Sequence, residues 1–231
     1  MSGTLLQVRR LCGGYGDTRV LRDIDVAVSA GQVLGVIGRN GVGKTTLARL
    51  LAGALPLQSG DLHWAGRSLT ASDQVAMRRL GIGYGPQENG VFDTLSVADN
   101  LALTGVSAKD PQALAVLALF PRLRERWAQQ AGTMSGGERK ILSFVRCLIE
   151  PTRLVILDEP TEGVQQENID LMAQRIEQQS RLGRAFIIME QNLGLVQRVC
   201  DQVIGLDQGR VVLRGDAATL SRDDLLAVLR V

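Results

Sequence analysis

The chain has 231 residues, yet it holds one histidine, three cysteines and three lysines, against 23 arginines. One histidine and the scattered Cys12, Cys147 and Cys200 exclude a histidine-rich metal site, and no CxxC pair supports a structural zinc or a redox motif. An odd cysteine count points to a reducing compartment, the cytosol. No apolar run approaches the ~18 to 20 residues that a membrane-spanning helix needs. Met1 to Arg10 shows no charged segment followed by an apolar one and is not read as a secretory signal. Any membrane role is therefore expected to run through a partner. The formal net charge is only +2, too small for the strongly basic footprint of a nucleic-acid binder. Repeats, low-complexity tracts and Pro/Ser linkers are also missing. The one basic cluster, Arg122, Arg124 and Arg126, reads as a solvated face.

What is present is a regular alternation. The length suits one domain, with room for an inserted subdomain and for a real core. Leu5 to Val8 and Ile24 to Val28 read as strands, the second alternating apolar Ile24, Val26 and Val28 with Asp25 and Ala27. Val33 to Ile37, Leu154 to Leu157, Ala185 to Met189 and Val203 to Leu206 are short continuous apolar runs. Such runs suit strands covered on both faces, as in a parallel sheet. Helical spacing fills the gaps: Leu47, Leu50, Leu51, Ala54 and Leu55; Ile141, Val145, Leu148 and Ile149; Ile169, Met172 and Ile176. A last apolar helix opens on Ser221 and Asp224 in capping-box spacing. Strands alternating with helices predict an α/β fold with a largely parallel sheet. Gln87 to Glu150 carries helical patterns without a clear buried strand and reads as a helical insertion.

Gly38-Arg39-Asn40-Gly41-Val42-Gly43-Lys44-Thr45 fits the phosphate-loop pattern G-x-x-x-x-G-K-[ST], with a buried strand before it and an amphipathic helix after it. Glycines let the backbone curl so that several N–H groups face one anion. The helix that follows, through Thr46, points its positive end at the same place. Lys44 is placed to neutralise β- and γ-phosphate charge, and the Thr45 hydroxyl to ligate Mg²⁺. ATP and Mg²⁺ are the implied ligands. A second chemistry-bearing run, Leu154-Val155-Ile156-Leu157-Asp158-Glu159, sets two acids at the carboxyl end of a buried strand, where open α/β sheets bind ligands. Asp158 is expected to hold Mg²⁺, directly or through water, and Glu159 to orient or deprotonate the attacking water.

Met134-Ser135-Gly136-Gly137-Glu138 precedes a helix over about Arg139 to Glu150, which Ser135 is placed to cap while the glycines leave its first N–H groups open. In the order phosphate loop, Ser-Gly-Gly-Glu helix, Asp-Glu strand, the chain resembles the nucleotide-binding subunits of ABC (ATP-binding cassette) transporters over nearly its whole length. The resemblance implies a P-loop NTPase fold of the ABC type: a mostly parallel core sheet, an N-terminal antiparallel β part and an inserted helical subdomain. It also implies one domain over 1–231, with a RecA-like core over about 1–86 and 151–231 and the helical subdomain over about 87–150. Tyr15 corresponds to the aromatic that stacks on adenine. Gln87, in Tyr84-Gly85-Pro86-Gln87, corresponds to the glutamine that contacts Mg²⁺ and water. Ser135, Gly136, Gly137 and Glu138 correspond to the stretch that meets the γ-phosphate held by an opposite subunit, so that two cassettes enclose two ATP molecules.

Asp158-Glu159-Pro160-Thr161-Glu162-Gly163-Val164-Gln165 and Met189-Glu190-Gln191-Asn192 are similar to ATPases of uptake systems for branched-chain amino acids, urea and short amides. The run Gly38 to Lys44 leans toward the urea and amide branch. The implied partners are a second ATPase subunit, as homodimer or heterodimer, transmembrane permease chains and, indirectly, a periplasmic solute-binding protein; no nucleic acid is implied. The implied place is the cytoplasmic face of the inner membrane. The chain departs from the family pattern at Gln191, where most cassettes carry a switch histidine, at Gln165, where aspartate is usual, at Met134, where leucine is commoner, and over Glu88-Asn89-Gly90-Val91-Phe92. A neutral Gln191 amide donates a hydrogen bond but carries no proton, so the mechanism is expected to rest on Glu159. The single histidine, His63, falls in a short strand pattern far from that position and reads as structural. A non-transport cassette, such as an iron–sulfur assembly type, stays open as the alternative. A long coiled-coil insertion, a second cassette copy and an Asn-Lys-x-Asp base-reading motif are all missing, which argues against DNA-repair heads, translation factors and GTPases.

Overall fold

A computed structural model describes residues 3–69, 73–88, 90–107 and 109–230. The continuous apolar runs form the centre of one sheet: β3 (Val33–Ile37), β7 (Leu154–Asp158), β8 (Ala185–Glu190) and β9 (Gln202–Asp207). Two strands of this sheet escape a reading based on apolar runs. Strand β6 (Ile82–Gly85) is glycine-interrupted, and β10 (Arg210–Asp216) is an exposed edge strand. The spatial order is β10-β9-β3-β8-β7-β6, parallel throughout except for β10. The ends of β3, β6, β7 and β8 therefore share one edge, and the loops that follow them carry the phosphate loop, Gln87, Glu159 and Gln191.

The N-terminal antiparallel part is a second sheet, β2-β1-β4-β5, built from β1 (Thr4–Tyr15), β2 (Thr18–Ser29), β4 (Ser59–Trp64) and the two-residue β5 (Arg67–Ser68). His63 sits in β4 opposite Gln7 and Ser68, in keeping with a structural residue. Helix α1 (Lys44–Leu51) lies between the sheets. Its Leu47, Leu50 and Leu51 share a core with Leu6 and Leu11 of β1 and with Leu34 and Ile156 of the parallel sheet. The opposite face of that sheet, through Val33, Ile37, Val155, Leu157, Phe186 and Ile188, packs on a second core. This alternation is the period-2 side-chain pattern of strands buried on both faces.

The second core also takes in the insertion. Helices α3 (Val97–Ala102), α4 (Pro111–Leu119), α5 (Pro121–Glu125) and α6 (Gly136–Ile149) follow α2 (Gln74–Arg79) and β6, with one isolated bridge, Ser96 to Gln130, in place of a strand among the described residues. The apolar face of α6, including Leu142, Val145 and Leu148, joins the helical part to the sheet. Its carboxyl end is fixed by Arg184, which is 8% exposed. The Arg184 guanidinium donates to the carbonyls of Cys147, Leu148 and Glu150, each at 2.7 Å, and to the Thr152 hydroxyl. These are carbonyls that a helix end leaves without partners. Helices α7 (Gln166–Arg181), α8 (Leu193–Val199) and α9 (Arg222–Arg230) complete the cover. The expected Ser221–Asp224 capping box opens α9.

Candidate nucleotide site

The strand β3 runs into Gly38 and turns through Gly41 to Gly43 before α1 begins at Lys44. Gly43 is the N-cap of α1 with φ 113°, a left-handed backbone that side-chain-bearing residues resist, and a Cβ there would lie 2.6 Å from Leu21. Arg39, Asn40 and Gly41 are exposed, while Val42, Lys44 and Thr46 are buried. The loop thus offers backbone to solvent and locks its flanks into the core.

Lys44 is 4% exposed, and its ammonium is fully engaged. It donates to the carbonyls of Gly38 at 2.7 Å and Arg39 at 3.0 Å and pairs with Glu159 Oε1 at 3.0 Å. Glu159 is in the left-handed region, φ 47°, directly after β7. A non-glycine residue held there carries strain of about 1 to 3 kcal/mol, a feature that clusters at functional sites. The Glu159 N–H donates to the Met189 carbonyl at 2.9 Å. The Gln87 amide donates to Glu159 Oε2 at 3.0 Å, and the Gln191 amide to Glu159 Oε1 at 3.1 Å and Asn40 Oδ1 at 2.7 Å. Glu159 is therefore the hub that joins the loops after β3, β6 and β8.

Asp158 lies beside this hub at the end of β7. The Thr45 hydroxyl is 3.3 Å from Asp158 Oδ1 and 3.5 Å from Gln87 Oε1. Asp158 Oδ2 is buried and has no hydrogen-bond partner. Burial pushes the Asp158 carboxyl up to about 6, with neighbouring Glu159 adding to the rise and the Thr45 hydroxyl and Lys44 opposing it. A hydroxyl, a carboxylate with an unused oxygen and an amide oxygen are the hard donors that Mg²⁺ takes. The residues present fit that ion.

Tyr15 ends β1 with its side chain 44% exposed, and its hydroxyl accepts from Arg49 of α1 at 3.1 Å. This bond holds the exposed tyrosine beside the helix that follows the phosphate loop. Ser135 caps α6 in a capping box with Glu138, and Glu138 Oε2 also pairs with Arg126 at 3.0 Å. Burial would raise the Glu138 carboxyl, but the Ser135 hydrogen bonds and the nearby Arg126 and Arg122 outweigh it and hold the group below its usual range. Arg126 is thus tied to the Ser135 turn and is not simply a solvated charge as the sequence suggested. Gly137 is required by the chain itself, since a Cβ there would lie 2.6 Å from the Gly163 carbonyl. At Gly136 nothing lies within 4 Å of the same position. Ser135 to Glu138 line a groove of about 660 Å³ together with Phe120 and Leu171. Lys140 and Glu162 line the same groove and link this face to Gln87 and Glu159.

Two residues of the site were missed in the sequence. Glu190 is 3% exposed and accepts four hydrogen bonds: from the Thr161 N–H and hydroxyl through Oε1, and from the Gln191 and Asn192 N–H groups through Oε2. It ties the turn after Glu159 to the loop bearing Gln191. Lys140 donates to the carbonyls of Gln87 and Glu159. The rarity of lysine was a signal for Lys140 as much as for Lys44. Gln165 is the exposed N-cap of α7 and makes no side-chain cap bond. In the Glu88 to Phe92 stretch, Asn89 lies outside the described residues; Gly90 accepts from Arg146 at 2.6 Å, and the half-exposed Phe92 ring stacks under the same guanidinium.

The family model described as ABC transporter matches residues 21–162. The chain belongs to the ABC transporter family. It is 37% identical over 210 residues to the high-affinity branched-chain amino acid transport ATP-binding protein BraG of Pseudomonas aeruginosa, covering 89% of this chain and 90% of that one. It is 30% identical over 221 residues to a probable branched-chain amino acid transport ATP-binding protein, LivF, of Archaeoglobus fulgidus, with 94% of each chain covered. Export systems match too: the lipopolysaccharide export ATP-binding protein LptB of Escherichia coli is 28% identical over 228 residues, covering 95% of this chain and 93% of that one. A solved ATP-binding subunit of an ABC transporter superposes with a TM-score of 0.85 at 26% identity, over 96% of this chain and 98% of that one. This ABC protein is a nucleotide-binding ATPase subunit with the α/β fold expected from its sequence. No helix among its described residues is long and apolar enough to cross a membrane.

Proposed function

We propose that this chain is the energy-coupling ATPase of an importer for small polar solutes, docked on permease chains at the cytoplasmic face of the membrane. The observation that carries the ATPase reading is the convergence of Lys44, Gln87 and Gln191 on Glu159 beside the unpartnered oxygen of Asp158, and the relatives' names support import. Tyr15 stacks on the adenine. The backbone of Gly38 to Gly43, with Lys44 and Thr46, holds the phosphates. Thr45, Asp158 and Gln87 would hold Mg²⁺, which when bound neutralises phosphate charge. Glu159 takes the proton of the attacking water or orients it, and Gln191 holds that carboxylate in place.

Ser135, Gly136, Gly137 and Glu138 meet the nucleotide of a second cassette, in a homodimer or heterodimer. The free space at Gly136 supports this, because nothing inside the chain demands a glycine there. The chain reads as one domain whose helical part, about 87–150, passes the closing motion to the permease.

Branched-chain amino acids are the solute class supported by the relatives' names, ahead of the urea and short amides toward which the phosphate-loop sequence leans. The test is reconstitution with co-purifying membrane partners. Permease chains and a periplasmic binding protein, ATP hydrolysis stimulated by them, and inward transport of labelled leucine are expected. Outward movement of a lipid-like cargo, or co-purification with iron–sulfur assembly proteins alone, overturns the importer reading. Uptake of labelled urea without leucine overturns the solute assignment only.

A further inference from the structure

We propose that Lys140 is a positioning residue that clips the Gln87 loop and the Glu159 turn to the start of α6, so that the Ser135–Gly137 face and the catalytic carboxylate move as one piece. The inference rests on the reading of Glu159 as the base. Lys140 Nζ donates to the Gln87 carbonyl at 2.7 Å and the Glu159 carbonyl at 3.0 Å, and Glu162 Oε2 lies 3.6 Å away. The Glu162 carboxylate accepts from the Gln87 amide at 3.2 Å as well, closing a ring of contacts among three segments. The Lys140 side chain is only 16% exposed.

An ammonium presents its donors from a single point, and here two of them meet carbonyls of different loops while the charge faces the Glu162 carboxylate at ion-pair distance. Arginine is the default cation of this chain, 23 against three lysines. A planar guanidinium spreads its donors along a fork, as Arg184 does over three helix-end carbonyls, whereas an ammonium gathers its donors at one point. Lys140 also stands four residues after Gly136, one helical turn along, so the two lie on the same face of α6. Gly136 and Lys140 both line the groove beside Ser135 and the smaller one beside Gln87. Displacement of α6 at its exposed end must therefore drag or release two backbone carbonyls, one in the residue that supplies the base. The left-handed φ of Glu159 makes that turn sensitive, because such a backbone persists only while its surroundings hold it.

The experiment compares Lys140→Met, Gln87→Ala, the double variant and Glu159→Gln in the purified chain and in the assembled transporter. Lys140→Met is expected to lower kcat about tenfold or more with the KM for Mg-ATP changed less than about twofold, since the ammonium bonds two backbone carbonyls and no side chain assigned to nucleotide or Mg²⁺. Its melting temperature is expected within about 3 °C of wild type. Gln87→Ala keeps the backbone carbonyl that Lys140 holds, as does the Glu159 turn, so in that background the same substitution is expected to keep its penalty to within about threefold. Lys140→Met with wild-type kcat, a penalty that vanishes in the Gln87→Ala background, or a loss of kcat matched by a melting temperature lowered by more than about 5 °C in both Lys140→Met and Lys140→Gln overturns the proposal. Wild-type turnover in Glu159→Gln marks failure of the base reading itself, and the clip falls with it. Inactive Glu159→Gln beside active Lys140→Met marks failure of the clip alone.

Discussion

Lys44 Nζ lies 3.0 Å from Glu159 Oε1, and both side chains are almost wholly buried. The proposed phosphate ligand and the proposed base thus neutralise each other within the chain. Bringing a polyphosphate to Lys44 means exchanging that carboxylate for phosphate oxygens, and the exchange frees Glu159 for its own task. Gln87 and Gln191 stay on the carboxylate as neutral donors, so it is not left unpaired.

Glu159→Gln is expected to cut turnover by roughly 10² to 10⁴-fold, the usual contribution of a general base. Nucleotide binding is expected to persist, because Lys44 loses a competitor for phosphate. An ATP-bound dimer then accumulates, which light scattering at saturating Mg-ATP reads directly. A variant that stays monomeric there speaks against Glu159 as the base.

Gln191→Ala removes one amide that donates to Glu159 Oε1 and Asn40 Oδ1. Its loss is expected to lower kcat by about tenfold or less, the scale of one or two neutral hydrogen bonds. The decrease is smaller than that of Glu159→Gln. The reverse order in steady-state assays would overturn the account of a proton-free switch position.

Asp158 sets a pH dependence whose sign follows from burial. Its carboxyl titrates near 6 in the fold, against 3.8 for its ordinary value. From about pH 4 to 6 the unfolded chain gives up this proton while the folded chain keeps it. Folding without metal therefore loses stability as pH rises through that window and levels off above it. Asp158→Asn is expected to stabilise the metal-free protein by about 3 kcal/mol at pH 8 and by nearly nothing at pH 4. Urea melts at the two pH values check this. Mg²⁺ is expected to stabilise the wild type and not the variant.

Arg184→Ala leaves three helix-end carbonyls and a hydroxyl without their buried donor. The expected cost is about 3 kcal/mol of stability. Since α6 leads from this end back to Ser135, its loosening is also expected to speed hydrogen exchange along α6. Thermal melts and exchange mass spectrometry separate the two effects.

The edge that gathers the site could be read from sequence because three of its four strands, β3, β7 and β8, are largely apolar runs closed by glycine or acid. Lys44, Asp158 and Glu159 followed from those endings. Strand β6 was harder, since Ile82-Gly83-Tyr84-Gly85 offers two glycines where a buried strand offers side chains. The exposed β10 has only an alternating pattern and lies at an edge. Glu190 and Lys140 were hidden for another reason. Each acts on backbone groups of residues distant in sequence, and a hydrogen bond to a carbonyl or an N–H leaves no residue type at the other end to recognise. Arg126 reads as surface charge until the capping box of Ser135 and Glu138 gives it a partner.

The two adjacent glycines of the Ser135 turn answer to different constraints. Gly137 is demanded by the carbonyl of Gly163, whereas Gly136 faces open space. Alanine at 137 is therefore a folding lesion, visible as low abundance and early melting. Alanine at 136 is expected to leave the fold and its melting temperature unchanged, and on the proposed two-cassette reading its fault surfaces only when a second body tries to close on it. A screen for protein yield is then expected to pass this variant, and a screen for partner-stimulated ATP hydrolysis to reject it.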